Sequence, residues 1–312
     1  MSNIIFMGTP KLAETVLARL IASGTHKPKL VITQQDKPVG RKQIMTPSPV
    51  KTFAQEHGIE VWQPATLKDL AAIEKIRAHK PDCIVVAAYG KIIPKMIIDI
   101  PSRGIVNVHT SLLPRWRGAS PIQHALLAGD NKTGATIMLI DEGLDTGPII
   151  SQSTCPIARE ETYETLYAKL AEFGADLLVE TLPDWLAGKI IPEAQDNTKA
   201  TLAPILRKQD GEIKPEHDAA TIERMVRALN PWPGVVLETR NMKHETRKML
   251  KILKARIARC EQNLSPLSLS LTAQKELCLY TKEGCLVLET VQPEGKKPMS
   301  GHDYYLGNKS AL

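Results

Sequence analysis

The 312-residue sequence lacks the features that mark secreted, membrane-spanning or zinc-dependent chains. Its five cysteines (Cys83, Cys155, Cys260, Cys278 and Cys285) are odd in number, include no C-x-x-C pair and show no zinc-ligand spacing beside a histidine pair. A disulfide framework and a zinc finger are therefore not expected; a reduced, cytoplasmic protein without a metal site is. No apolar run approaches the length that crosses a bilayer, and the opening MSNIIFMGTP has no basic stretch ahead of an apolar one. Neither secretion nor a membrane span is expected. Also missing are G-x-G-x-x-G and the P-loop pattern, so Gly8-Thr9-Pro10 reads as strand-to-helix geometry rather than a phosphate cradle. There are no internal repeats and no low-complexity tract.

What is present is an alternation. Over the first two hundred residues short apolar runs alternate with helical patterns, the signature of a largely parallel α/β sheet. Strands are expected at Ile4–Met7, Lys29–Thr33, Ile59–Trp62, Cys83–Ala88, Gly104–His109, Ala135–Ile140 and Ile149–Thr154. Helices are expected at Lys11–Ile21, from Ser48-Pro49 toward His57, near Leu67–Ala78, and over Thr162–Ala187. Gln34–Pro47 reads as an irregular loop. Beyond it all, Thr221–Leu229 reads as a short helix, and Met249–Ile257, Leu267–Leu271, Leu277–Thr281 and Cys285–Thr290 as strands of a small antiparallel barrel or sandwich. The expected organisation is a sheet domain over 1–194, a linker over 195–206 and a β domain over 207–312.

The net charge of +6 is unevenly spread. Residues 1–206 carry 22 basic and 21 acidic side chains, whereas 207–312 carry 18 and 13. Arg240 to Arg259 alone holds eight basic residues and one acid, Glu245. Such density suits a polyanion such as nucleic acid, although taken alone a solvated face is the commoner explanation.

Chemistry is suggested at three places. A strand alternates its faces, so Asn107 and His109 in GIVNVHTSLLPRWRG project to the same side. The glycine-bearing turn Asp141-Glu142-Gly143-Leu144-Asp145-Thr146-Gly147 can fold a carboxylate back toward the sheet edge, and spacing does not choose among its three acids. An Asn, a His and an acid meeting there would make an acyl-transfer site, with the acid orienting the imidazole and the other two stabilising an oxyanion. Thirdly, the fourteen residues Gln34–Pro47 form a long loop for a compact domain, which favours a binding role.

NVHTSLLPRWRGASPIQ (Asn107–Gln123) resembles the defining motif of the folate-dependent formyltransferases, and LDTGPII (Leu144–Ile150) resembles their second motif. The resemblance implies Asn107, His109 and Asp145 as catalytic residues and the backbone of Ser111, Leu112, Leu113 and Pro114 as the folate-binding stretch. Four further segments are similar to the members of that family that formylate initiator methionyl-tRNA: IIFMGTP, QQDKPVGRKQIMTPSPVK, ALNPWPG and QPEGKKPMSGHD. The loop departs from the pattern where GRKQIM lacks a further glycine after the arginine. The family's architecture implies a Rossmann-like domain followed by an OB-like β-barrel domain. It also implies 10-formyltetrahydrofolate as formyl donor, no metal, methionyl initiator tRNA as acceptor, and a cytoplasmic monomer in translation initiation. Candidate tRNA contacts are Lys37, Arg41, Lys42 and Lys51 near the loop, with Arg41 the first choice for sensing an unpaired terminal base pair, and Lys248, Lys251 and Lys254 on the β domain. Two other readings stand beside this one: a formyltransferase for a small amine such as glycinamide ribonucleotide or an amino sugar nucleotide, and a nucleic-acid-binding protein without catalysis.

Overall fold

Aliphatic runs that are apolar on both faces belong in the middle of a sheet, and the computed structural model places them there. It describes residues 2–40, 42–241, 246–260, 262 and 264–308. In chain order the first elements are β1 (Ile4–Gly8), α1 (Lys11–Ala22), β2 (Leu30–Ile32), β3 (Lys37–Val39), β4 (Ile44–Thr46), α2 (Pro49–Glu56), β5 (Glu60–Trp62), α3 (Leu70–Ala78) and β6 (Cys83–Ala87). Then come α4 (Lys95–Ile98), β7 (Ile105–His109), α5 (Pro121–Ala128), β8 (Lys132–Leu139), β9 (Ile149–Pro156) and α6 (Tyr163–Leu186). The C-terminal third holds α7 (Ala219–Leu229), β10 (Val235–Asn241), β11 (Thr246–Ala258), β12 (Leu269–Leu271), β13 (Leu277–Tyr280), β14 (Cys285–Pro293), β15 (Met299–Ser300) and α8 (Gly301–Asn308).

The chain divides into two compact units. One comprises Met1–Pro121, Lys132–Ile157 and Leu166–Pro204; the other comprises Ile122–Asn131, Ala158–Thr165 and Ile205–Leu312.

The first unit is built on a seven-stranded sheet of order β5-β2-β1-β6-β7-β8-β9. Strands β5, β2, β1, β6 and β7 pair in parallel, and β8 runs antiparallel to both its neighbours. β1 and β6 are buried at every residue. Alternation divides their side chains between two core layers: Ile4, Phe6, Cys83 and Val85 pack with α1 and α6, while Ile5, Met7, Ile84 and Val86 pack with α3. Val106 and Val108 of β7 join the first layer and Ile105 the second, so Asn107 and His109 lie on the face that Ile105 starts. Gly174 lets α6 lie close to the sheet, since a Cβ there would stand 2.8 Å from Val108 Cγ1. Ser48 caps its helix as the sequence suggests, its Oγ accepting from Lys51 N–H (3.1 Å) ahead of Pro49; Asp69 caps α3, which starts at Leu70 rather than near Leu67, its Oδ1 accepting from Ala72 N–H (2.7 Å). Caps of this kind stabilise a helix by about 1 kcal/mol.

The second unit contains a six-stranded antiparallel sheet of order β10-β11-β14-β13-β12, with β15 on β14. Register shifts around Lys254 bend β11 along β14 and curl the sheet. Among the described residues β10 and β12 do not pair, so the curl makes a half-barrel. A mostly parallel sheet domain followed by a small antiparallel β domain is the expected architecture. The loop Gln34–Pro47 differs from expectation, because it holds the antiparallel hairpin β3–β4. The hairpin has no buried face to impose an apolar alternation: Val39, Ile44 and Met45 are 55%, 61% and 61% exposed.

Candidate active site

The residues nominated by the sequence converge at the end of β7. Its register sets Asn107 opposite Met138 and His109 opposite Thr136 on β8. Because β8 is antiparallel, its last residues lie beside the start of β7, and Ile140 N–H donates to Ile105 O at 2.8 Å. The segment that follows must travel back about 13 Å, four residues of strand, to reach His109. It does so: Asp145 Oδ2 lies 3.7 Å from His109 Nδ1. His109 is 6% exposed and the Asp145 side chain 18%. The same Oδ2 accepts the Gly118 N–H at 2.8 Å.

The other two acids of that turn are occupied elsewhere. Asp141 accepts from Thr146 Oγ1 (2.8 and 2.9 Å) and from Gly143 N–H (3.0 Å), and Glu142 pairs with Lys95 at 2.7 Å. Of the three acids, Asp145 is the one that faces His109.

His109 Nε2 lies 3.0 Å from Trp116 O. A carbonyl only accepts, so Nε2 carries the hydrogen and donates it. Nδ1 is then the nitrogen that faces Asp145, at a separation beyond direct hydrogen bonding but suited to a water bridge or to an ion pair once Nδ1 is protonated. The Asn107 amide, half-buried, makes no hydrogen bond to the protein among the described residues, and neither does Asp145 Oδ1. These two groups retain their full hydrogen-bonding capacity for a ligand.

The turn after β7 is pinned by one hydroxyl. Thr136 Oγ1 donates to Ser111 O (2.6 Å) and accepts from Leu113 N–H (3.2 Å) and Gln152 Nε2 (2.8 Å), using all of its capacity. Each carbonyl of the nominated stretch accepts a hydrogen bond from within the protein. Ser111 O takes Thr136, Leu112 O takes Arg115 N–H (3.0 Å), Leu113 O takes Gln152 Nε2 (2.9 Å) and Pro114 O takes Thr201 N–H (3.2 Å). Leu112 and Pro114 are half-buried, Ser111 and Leu113 fully buried.

Sequence reasoning did not reach a second layer. Arg117 is 6% exposed and gives its guanidinium to Gln195 Oε1 (3.0 and 2.7 Å) and Asn197 Oδ1 (2.8 Å). Gln195 Nε2 in turn donates to Asp145 O (2.9 Å) and Gly147 O (2.7 Å). These contacts span 48 to 80 residues of chain, and no local pattern announces them.

The basic candidates are dispersed. Lys37 Nζ donates to Gln34 Oε1 (2.6 Å), Lys51 pairs with Asp36 (2.8 Å), and Lys42 is exposed. Arg41 lies outside the described residues, as do Met242 to Glu245 of the basic run. On β11, Lys254 pairs with Glu289 (2.9 Å), Arg256 with Glu276 (2.7 Å) and Glu289 (3.4 Å), and Lys251 Nζ donates to Pro231 O (3.2 Å). Lys248 is exposed with no such partner among the described residues. The strip that looks uniformly basic in sequence is therefore partly neutralised by acids on β13–β14 and the turn before them. Among the described residues no group of three or more His, Cys, Asp or Glu is placed to hold a metal ion, and no helix is long and apolar enough to cross a membrane.

Comparison with known proteins defines the class. Residues 2–182 match the formyl transferase family, and residues 205–309 match the formyl transferase C-terminal domain. Solved structures share the fold at low identity. An N-formyltransferase from Helicobacter canadensis, in complex with folinic acid and dTDP-3-aminofucose, is 17% identical with a TM-score of 0.66, over 94% of this chain and all of that one. HypX from Aquifex aeolicus, in complex with tetrahydrofolic acid, is 17% identical with a TM-score of 0.63. It aligns with 97% of this chain, which spans only 47% of HypX. Closer in sequence are the methionyl-tRNA formyltransferases of Methylococcus capsulatus (42% identical, 97% of this chain, 96% of the relative) and Caldicellulosiruptor saccharolyticus (44% identical, 98% and 97%). The chain belongs to the methionyl-tRNA formyltransferase family.

Proposed function

We propose that this enzyme transfers the formyl group of 10-formyltetrahydrofolate to the α-amino group of methionyl initiator tRNA, with chemistry at Asn107, His109 and Asp145. The observation that carries the assignment of residues is the juxtaposition at the end of β7. A half-buried amide without a protein partner stands two residues from an imidazole that faces a carboxylate at 3.7 Å.

The neutral amine attacks the formyl carbon, and the carbonyl electrons move to oxygen. Asn107 Nδ2 donates to that oxyanion; a placed donor of this kind contributes about 3–4 kcal/mol. The amine proton passes to Asp145, whose Oδ1 is uncommitted, and is relayed through water to His109 Nδ1, since the pair stands 3.7 Å apart. The resulting imidazolium lies close enough to offset the oxyanion charge. Collapse breaks the bond to the folate nitrogen, which leaves with a proton as tetrahydrofolate. His109 Nε2–H remains on Trp116 O, so the ring acts through its charge and its Nδ1 rather than as a second direct donor.

Leu112 and Pro114 are the members of the folate stretch with side chains still open to a donor substrate, while the carbonyls of residues 111–114 already serve the turn. Residues 1–194 form the catalytic domain, 195–206 the linker and 207–312 the tRNA-binding domain, with Lys248 and the hairpin lysines Lys37 and Lys42 contributing phosphate contacts together with Arg41, Lys251 and Lys254. The protein works as a cytoplasmic monomer.

The test is formylation by the purified protein of methionyl initiator tRNA beside glycinamide ribonucleotide and an amino sugar nucleotide, each with 10-formyltetrahydrofolate. Formylation of the tRNA is expected, with a loss of about 10²- to 10⁴-fold for His109→Ala and Asp145→Asn. Formylation of a small amine alone, or full activity in either variant, would overturn the assignment.

A further inference from the structure

The main chain that carries Asp145 is held from a segment 50 residues downstream, by an amide whose every hydrogen-bonding site is used. Gln195 Nε2 gives its two hydrogens to the carbonyls of Asp145 and Gly147, and Oε1 accepts two from Arg117. The orientation of the amide is unambiguous. Turned over, it would press NH₂ against a guanidinium and oxygen against two carbonyls. Arg117 completes the brace through Asn197 and, among the described residues, pairs with no carboxylate. A buried cation hydrogen-bonded only to neutral oxygens polarises them. Its effect on Gln195 is to sharpen the donors aimed at Asp145.

Asp145 needs such support. Its φ of +52° lies in the left-handed region, which an aspartate adopts only against a preference for other conformations. The side chain is fixed by Gly118 N–H and the backbone by Gln195, so the two contacts together set where the carboxylate stands relative to His109. The Gln195 segment is itself stitched beside the motif: Arg117 N–H donates to Thr201 O (2.9 Å) and Ala203 N–H to Arg117 O (2.7 Å).

We propose that Gln195, braced by Arg117, is a positioning residue for the formyl transfer, setting the Asp145–His109 geometry without touching substrate. The proposal rests on the reaction assigned above. It predicts a specific kinetic pattern, because misplacing a catalytic group by about 1 Å can lower turnover about 10²-fold while leaving binding surfaces intact.

The variants are Gln195→Glu, which keeps the shape and the Arg117 contacts but cannot donate to the two carbonyls, and Gln195→Ala, which removes both sets. Asp196→Ala serves as the control on the same segment; it removes the contacts to Thr198 N–H (3.0 Å), Thr198 Oγ1 (2.6 Å) and Lys199 Nζ (3.0 Å) and leaves those of Gln195 in place. For Gln195→Glu we expect kcat to fall about 10- to 100-fold, KM for both substrates to stay within about threefold, and the pH–rate profile to move along the pH axis. The ring ¹⁵N shifts of His109 should change as well, while Asp196→Ala stays within about twofold of wild type in kcat. A Gln195→Glu enzyme with wild-type kcat and pH profile would overturn the proposal. So would a loss confined to KM, or an Asp196→Ala loss equal to that of Gln195→Ala, since the segment would then act through general packing. If the wild-type protein formylates nothing, the reaction assignment fails. In that case the His109 ¹⁵N shifts still decide this proposal, which is refuted if Gln195→Glu leaves them in place.

Discussion

Replacing Gly118 by alanine is the most direct perturbation of the motif, and the structure gives its size. Gly118 has φ of +125°, a region that L side chains rarely adopt, and holding a residue there costs about 1–3 kcal/mol. An added Cβ would also stand 2.6 Å from Ala203 O and 3.1 Å from Ala203 C, backbone atoms that cannot swing aside. Relief requires a shift of residue 118, and its N–H is the donor to Asp145 Oδ2 at 2.8 Å. Losing a hydrogen bond to a carboxylate adds about 1.5–3 kcal/mol. The expected destabilisation is therefore about 3 kcal/mol or more, with turnover falling at least tenfold as the carboxylate loses its donor. Urea denaturation followed by tryptophan fluorescence, and single-turnover formylation of the surviving native protein, measure the two effects separately. Gly24→Ala is the calibration, since Gly24 has φ of +72° but nothing within 4 Å of the added carbon; it should cost about 1 kcal/mol and leave turnover untouched. If Gly118→Ala behaves like Gly24→Ala in both assays, the steric and hydrogen-bond reasoning about this site is wrong.

Asn107→Ala should lower kcat by about 10²- to 10³-fold and change unfolding free energy by less than about 1 kcal/mol, because the amide has no protein partner to lose. Equal losses of activity and stability would show a structural role instead. Burial pushes the Tyr89 phenol up from 10.0 to about 12, so the native state holds that proton more tightly than the unfolded chain. Its contribution is complete below pH 10 and is lost as pH rises toward 12. Tyr89→Phe should remove that component of alkaline destabilisation and, since the hydroxyl is buried without a partner, raise stability by about 1–3 kcal/mol in urea melts at pH 8. Cys83, pushed from 9.0 to about 12 by the same burial, leaves a residual slope in the same direction. Glu289→Gln frees Lys254 from its acid, while Arg256 keeps Glu276, and should tighten tRNA binding at low salt, steepening the log–log salt dependence by about 0.7–0.9 per phosphate newly engaged. A filter-binding titration at several salt concentrations checks it, and a flatter slope would refute it.

The sheet and its order of elements were legible because apolar runs such as Cys83–Ala87 admit one environment only. The shared face of Asn107 and His109 followed from strand alternation alone. Asp145 did not: spacing leaves Asp141 and Glu142 equally plausible, only the likeness of LDTGPII to the family motif points to Asp145, and in the structure Thr146 and Lys95 occupy the other two. Arg117 and Gln195 were hidden for a different reason: their meaning lies in contacts nearly eighty residues apart, and a glutamine in a polar segment carries no mark of burial. The hairpin β3–β4 leaves no trace in the sequence because strands without a buried face lose the alternation by which strands are recognised. The strip from Arg240 to Arg259 looked like an open cationic surface because Glu276 and Glu289, which sit against it, come from later in the chain.

A two-stranded ribbon that buries none of its own apolar side chains has little intrinsic preference for one shape. In β3–β4 the root is clasped by Asp36, which takes Lys51 at 2.8 Å and Gln63 at 2.7 Å, whereas Val39, Ile44 and Met45 have only solvent to lose. Such an arm keeps its address while yielding its form. Whatever meets it can reshape it at small energetic expense and recover that expense by covering three side chains that water never favoured.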